Sequence, residues 1–291
     1  MSGRFSTHAR IACAFLAAAI LAGCTPENPN PSESEAPRSL SDPTYYAEPV
    51  PGRCCTIIAH AGGAIDGNAY TNSIEAIERN YQLGTRIFEV DFDQTSDGHW
   101  VAVHHWPNWK KRTGYGGSLP PDLETFKSTR RVHKGEIWSI PSEYNSVTFP
   151  WLEAFLEARP DVSIVTDLKE LDNFQRFVDA ILASPSKAQF IFQAYSMRQI
   201  DSIKKQDPSA RIILTLYRLG RPAGLYKELA ARKERLYGVT VPMNWAFDAA
   251  TLKGLLRSGV PIFLHGGPSN INSRALHSDF AAKGVSGFYL D

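Results

Sequence analysis

The chain has 291 residues, a formal net charge of +1 and 43% hydrophobic side chains. The near-neutral balance and scattered basic residues argue against a nucleic-acid partner, and the apolar fraction is too high for a disordered chain. The length suits one large α/β domain or two small ones.

Arg4 and Arg10 form a basic start, followed by the apolar run Ile11 to Ala22 and then Leu21-Ala22-Gly23-Cys24. The pattern resembles a bacterial lipobox, with 1–23 as signal peptide and Cys24 as the lipidated first residue of the mature chain. The apolar run is short for a transmembrane span. Residues 24–53 are rich in Pro, Ser and Glu and read as a disordered tether. This arrangement predicts a bacterial envelope protein, anchored to a membrane through lipid and facing away from the cytoplasm. Cys54 and Cys55 then have no distant partner; they are either free thiols or a vicinal disulfide.

The folded domain is expected over 54–291. Thr56 to His60 is a short apolar strand that ends on a histidine before Gly62-Gly63. Asn72 reads as a helix cap, with Glu75 completing a capping box and Gly84 stopping the helix. Arg86 to Phe92 alternates, with Ile87, Glu89 and Asp91 on one face and Phe88, Val90 and Phe92 on the other. A turn at Thr95 to Gly98 brings back Trp100 to His105. A tight hairpin would set Asp91 opposite Ala102 and Glu89 opposite His104, so that two carboxylates and an imidazole share one face.

Later strands are expected at Val162–Lys169, Gln189–Tyr195, Arg211–Tyr217, Tyr237–Met243, Pro261–His265 and Gly287–Leu290, with helical patterns between them. Eight strands joined by helices predict a (β/α)8 TIM barrel, with Trp100 to His105 as a β-hairpin extension after the second strand. Sites in such barrels lie at the C-terminal strand ends. His60, Glu89, Asp91 and Asp167 all come from there. Three carboxylates at adjacent strand ends would repel one another without a cation, and oxygen-only ligation favours Mg²⁺ or Ca²⁺. Two imidazoles and Lys169 beside a hard divalent cation suit attack on a phosphodiester. Trp106, Tyr195 and Trp245 follow strand ends and are candidates to line the pocket. Trp100, Trp138 and Trp151 read as packing residues, and His265 as structural.

Seven short motifs, in order, carry a resemblance to the glycerophosphodiester phosphodiesterase family from about residue 56 onward. They are His60-Ala61-Gly62, Thr71-Asn72-Ser73, Glu89-Val90-Asp91, Thr95-Ser96-Asp97-Gly98, Val101-Ala102-Val103-His104-His105, Asp167-Leu168-Lys169 and Gly284 to Asp291. Lys111-Arg112-Thr113-Gly114 is similar to the family's Arg-Thr-Thr segment. The resemblance implies His60 and His104 as the acid/base pair. It implies Glu89, Asp91 and Asp167 as metal ligands and Lys169 as a phosphate contact; Arg112 or Lys110 is the candidate for a further substrate-binding cation.

Three letters depart from the family. Ala61 stands where the family has a phosphate-binding arginine, His105 where it has aspartate, and Asp167 where it has glutamate. The implied reaction is hydrolysis of a glycerophosphodiester to an alcohol and glycerol phosphate, on a small molecule or a lipid head group. Two other readings stay open: a cyclising phosphodiesterase of the phosphatidylinositol-phospholipase-C or sphingomyelinase-D kind, and a non-catalytic envelope binding protein.

Overall fold

The computed structural model describes residues 49–132, 143–168, 171–266 and 274–291. The expected signal peptide, Cys24, most of the expected tether, Trp138 and Lys169 lie outside the described residues. Among the described residues no helix is long and apolar enough to cross a membrane. The last residues of the expected tether make a turn, with Val50 bridged to Arg53 and the Val50 carbonyl accepting from Ser286 Oγ at 3.0 Å. Cys54 and Cys55 are joined by a disulfide.

Among the described residues eleven strands follow in chain order. They are β1 (Thr56–Ala59), β2 (Ile87–Gln94), β3 (Trp100–Ala102), β4 (Arg131–Val132), β5 (Glu143–Tyr144) and β6 (Ser163–Leu168). β7 (Phe190–Ala194), β8 (Arg211–Thr215), β9 (Gly238–Pro242), β10 (Ile262–His265) and β11 (Gly287–Leu290) complete the set. The parallel strands run in the order β1-β11-β10-β9-β8-β7-β6-β2, and β2 pairs back onto β1. That is a closed eight-stranded (β/α)8 barrel. β3 hangs antiparallel on the outside of β2, and β4 with β5 form a separate small ribbon. The seams are unequal. β1 and β11 are paired over four residues, whereas β1 and β2 share a single ladder pair, Ala59 with Phe88.

Parallel barrel strands are covered on both faces, so they read as apolar runs. One face of the sheet packs on the helices through Phe88, Val90, Phe92, Ile164, Phe190, Phe192, Ile212 and Leu264. The other face closes on itself. Ile58, Ile87, Val165, Ile191, Ile213, Phe263 and Tyr289, with Tyr237, fill the barrel interior. Side chains alternate with period two. Two residues beyond each of those seven strand positions stand His60, Glu89, Asp167, Gln193, Thr215, His265 and Asp291. An apolar plug therefore underlies a polar ring at the C-terminal mouth, and period two alone puts it there.

The helices near the site are α1 (Ile74–Gln82), α2 (Trp106–Thr113), α3 (Leu123–Ser128) and α4 (Phe149–Glu157). Two local expectations are corrected. The cap of α1 is Ser73, whose hydroxyl accepts from Ala76 N–H at 3.3 Å; Asn72, at φ +45°, is turned away from the helix. Glu75 does not close a capping box but accepts from Asn145 N–H and Nδ2 at 2.9 and 2.6 Å. The hairpin register also differs by one residue. Phe92 faces Ala102, and Val103 N–H donates to the Asp91 carbonyl at 3.0 Å. The turn holds three residues, closed by Thr95 and His99 and carrying Gly98 at φ +85°.

Candidate active site

Asp91 and Asp167 are register partners on β2 and β6, so their side chains lie abreast at one inter-strand spacing. Glu89 stands one inward position below Asp91 on the same strand. One oxygen from each of the three lies within 4.8 Å of the others. Glu89 and Asp91 are 2% and 3% exposed. Buried carboxylates without a countercharge are costly. Burial, followed by the charges of Asp91 and Asp167, pushes the Glu89 carboxyl well above the usual range. Burial and then Asp167 raise Asp91, against the opposing pull of His104 and the Asn72 hydrogen bond. A crowded, buried, all-oxygen cluster fits a hard divalent cation and suits Mg²⁺ or Ca²⁺ geometry better than a soft metal.

Each carboxylate is held from behind. Ala61 N–H donates to Glu89 Oε2 at 2.7 Å. Asn72 donates through Nδ2 to Asp91 Oδ2 at 2.7 Å and accepts from Asp91 N–H at 3.1 Å. The Tyr195 hydroxyl donates to Asp167 Oδ1 and accepts from Leu168 N–H at 2.6 Å. Tyr195→Phe should therefore leave the barrel folded but strand a buried amide, costing about 1–3 kcal/mol of stability. Its expected signature is a lower melting temperature together with weaker Mg²⁺ binding in calorimetry.

The segment 60–73 is tightly specified. Ala61, Tyr70 and Asn72 all have left-handed φ, at +49°, +60° and +45°. Non-glycine residues pay for that conformation, and such strain gathers at sites. The Ala61 carbonyl accepts from Asn72 N–H at 2.9 Å, stitching both ends of the loop together. Gly63 has φ +85°, which favours glycine, and a Cβ there would also meet the Asn80 amide at 2.6 Å.

His60 begins the loop. Its Nδ1 lies 2.9 Å from Asp291 Oδ1, and its Nε2 is 4.0 Å from Glu89 Oε2. A carboxylate on Nδ1 assigns the proton there and leaves Nε2 facing the cluster. His104 arrives just past β3. Between the two imidazoles stands Tyr70, edge-on to His60 at 4.3 Å and to His104 at 5.3 Å. Burial, then Asp91 and Glu89, raise the Tyr70 phenol far above its ordinary value, so it stays neutral. Its carbonyl accepts from Arg112 Nη1 at 3.2 Å. Arg112 and His104 line a cleft with Asn72, His105, Asn108 and Trp109.

The structure brings together His60, Glu89, Asp91, His104, Asp167, Arg112 and Tyr195. Tyr195 is 5% exposed and grips Asp167, so its described role is to position a carboxylate rather than to line a pocket. Trp106 is not brought to the mouth. It is 7% exposed and packs edge-on to Trp109 and Phe126 in a satellite core outside the barrel. Trp245 lies under the Arg221 guanidinium at 4.4 Å. His265 packs tilted against Tyr217 and edge-on to Tyr289, and burial, with His60 nearby, pushes it down to about 4, leaving it neutral.

Sequence reasoning missed Tyr70, which sits two residues before the misread Asn72 and which nothing local marks.

Fold and site together define a (β/α)8 barrel with a candidate divalent-cation centre flanked by two histidines at its C-terminal mouth. No family model matches the chain. A glycerophosphodiester phosphodiesterase of Caldanaerobacter subterraneus subsp. tengcongensis is 24% identical over 242 residues, spanning 81% of this chain and 93% of the relative. A glycerophosphoryl diester phosphodiesterase from Parabacteroides distasonis shares the fold with TM-score 0.62 at 17% identity, covering 85% of each chain. The glycerophosphodiester phosphodiesterase of Thermotoga maritima gives TM-score 0.60 at 15% identity, over 82% of this chain and 95% of its own. An Oleispira antarctica phosphodiesterase solved with its product sn-glycerol-3-phosphate gives 0.58 at 15%, over 81% and 92%. The structural likenesses show a shared (β/α)8 fold, and the sequence likeness is to a protein that bears the glycerophosphodiester phosphodiesterase name.

Proposed function

We propose that this chain hydrolyses a glycerophosphodiester, releasing an alcohol and glycerol phosphate. The observation that carries this reading is the register pair Asp91 and Asp167, which with Glu89 forms one buried acidic cluster facing His60 and His104. The family likeness and the product held by the Oleispira antarctica phosphodiesterase favour the same substrate class.

Glu89, Asp91 and Asp167 would hold the divalent cation, Mg²⁺ or Ca²⁺. When bound, the cation supplies Lewis-acid polarisation of a phosphoryl oxygen. The remaining chemistry belongs to side chains. One imidazole takes the proton of the attacking water as its oxygen bonds to phosphorus. The other gives a proton to the departing alcohol as its ester bond breaks. Asp291 keeps the His60 tautomer fixed for its part in that exchange. Arg112, in the His104 cleft, offers a charge-assisted contact to the diester.

Phosphorus NMR of glycerophosphocholine or a similar diester, incubated with the protein, tests the proposal. The expected products are an alcohol and glycerol phosphate, formed with Mg²⁺ or Ca²⁺ and suppressed by EDTA. Equal rates after chelation would remove the metal from the reaction. A cyclic phosphate as end product would move the chain to the cyclising phosphodiesterases.

We further infer that Cys24 carries lipid and tethers the barrel to the bacterial envelope, beside lipid head groups. The basic start and the lipobox-like Leu21-Ala22-Gly23-Cys24 are the support for this. Full-length protein expressed in a bacterium should sediment with membranes and incorporate labelled palmitate. Cys24→Ser should lose both; a mutant that still takes up palmitate would sink the assignment.

A further inference from the structure

The two flanks of the carboxylate cluster each carry an arginine. Arg112 stands on the Asp91 side, where burial works against its charge and Asp91 and Tyr70 favour it. On the Asp167 side stands Arg218, at the C-terminal end of β8 in the short helix Leu216–Leu219. Its guanidinium carbon lies 4.4 Å from the centre of the Tyr195 ring, the ring whose hydroxyl holds Asp167. Nη1 donates to the Leu168 carbonyl at 3.4 Å, and the exposed Tyr217 is its other partner. Among the described residues Arg218 makes no ion pair. Burial opposes its charge, yet Asp167, Tyr195 and Tyr217 together raise its pKa.

A half-buried guanidinium presents five N–H donors in a planar fork. Stacked on an aromatic ring, it is already ordered, so it gives up little entropy when it takes an anion. An arginine held at the barrel mouth beside a candidate metal-binding carboxylate, with no ion pair among the described residues, is placed to take an anion. We propose that Arg218 is a substrate-binding residue that donates to a non-bridging phosphoryl oxygen of the diester on the Asp167 side. This rests on the phosphodiesterase reading above. It gives the site two arginines on opposite flanks, neither of them next to His60 in sequence, where Ala61 leaves no side-chain donor.

The probe is inorganic phosphate, titrated calorimetrically into the full chain in Mg²⁺ buffer, with diester hydrolysis measured in parallel. Arg218→Met keeps an apolar stem over Tyr195 and removes the charge. It should bind phosphate about tenfold or more weakly, and KM for the diester should rise more than kcat falls. Arg218→Lys keeps the charge but loses the fork, and should weaken phosphate binding by about threefold. Should Arg218→Met not fold, Arg218→Lys decides alone. Wild-type affinity in the folded variant, or no phosphate binding by the wild type, overturns the assignment. If the wild type cleaves no phosphodiester but Arg218→Met still loses phosphate affinity, the hydrolase reading falls and the anion site stands.

Discussion

His104→Ala should lower kcat for glycerophosphodiester hydrolysis by about 10²–10⁴-fold, with little change in KM. His60→Ala should do the same. Both imidazoles pack edge-on with Tyr70 and face the same carboxylate cluster, each from its own element, so neither stands where the other must act. The double mutant should then be scarcely worse than either single mutant, as expected when two groups serve one proton exchange. Asp291→Asn should fall less far, because it loosens the His60 tautomer without removing the ring. Steady-state kinetics on the purified variants, with melting curves to confirm folding, provide the check. A His104→Ala enzyme within tenfold of wild type would remove His104 from proton transfer.

Glu89→Gln should abolish hydrolysis yet raise the melting temperature of the metal-free protein at neutral pH. The Glu89 carboxyl is held well above its ordinary range by burial and by Asp91 and Asp167. A carboxyl raised in this way stabilises the fold below the ordinary carboxylate range. It loses that contribution as pH rises through the folded value. In EDTA the wild type should therefore weaken on going from mildly acidic to neutral pH, and the glutamine variant should weaken less. The gap should close toward pH 4. Glutamine keeps an oxygen to accept from Ala61 N–H, so the change removes charge without leaving that amide unpaired. Each kcal/mol recovered is worth about 2–4 °C in a domain of this size. Adding Mg²⁺ should reverse the order, because ligand binding stabilises only the protein that can hold it. A glutamine variant that gains as much from Mg²⁺ as the wild type would show that the ion does not sit on Glu89.

Much of the barrel is legible in the letters. Strands covered on both faces appear as runs such as Ile164-Val165 and Ile212-Ile213, and the polar residue that ends each run marks the mouth. Glu89, Asp91 and Asp167 are visible because their spacing on alternating strands leaves them no other face to occupy. What could not be read is of three kinds. Asn72 looks like a helix cap because its local context, followed by Glu75, is that of a capping box; a partner 19 positions away, Asp91, takes it instead. The hairpin register depends on whether the turn holds two residues or three, and Gly98 in the left-handed region permits the three-residue turn found here. Tyr70 and Tyr195 meet His60, His104 and Asp167 from other elements of the chain, and no periodicity reports that. Trp106 illustrates the opposite error. It follows a strand end, but the α2 turn carries its ring outward against Trp109 and Phe126.

The thin seam between β1 and β2 has a bearing on how any variant of this protein should be judged. Only Ala59 and Phe88 pair there in the ladder. Beyond that pair, the strands are fastened by Ala61 N–H on Glu89 and, through the loop, by Asn72 on Asp91. The atoms that would grip the cation are thus also the clasp that shuts the cylinder. Filling the site tightens the clasp, and cutting a strand of it, as Asn72→Ala would, lets the barrel gape at its first joint. Loss of turnover in such a variant speaks to closure as much as to chemistry, and selection on these few letters would act through both at once.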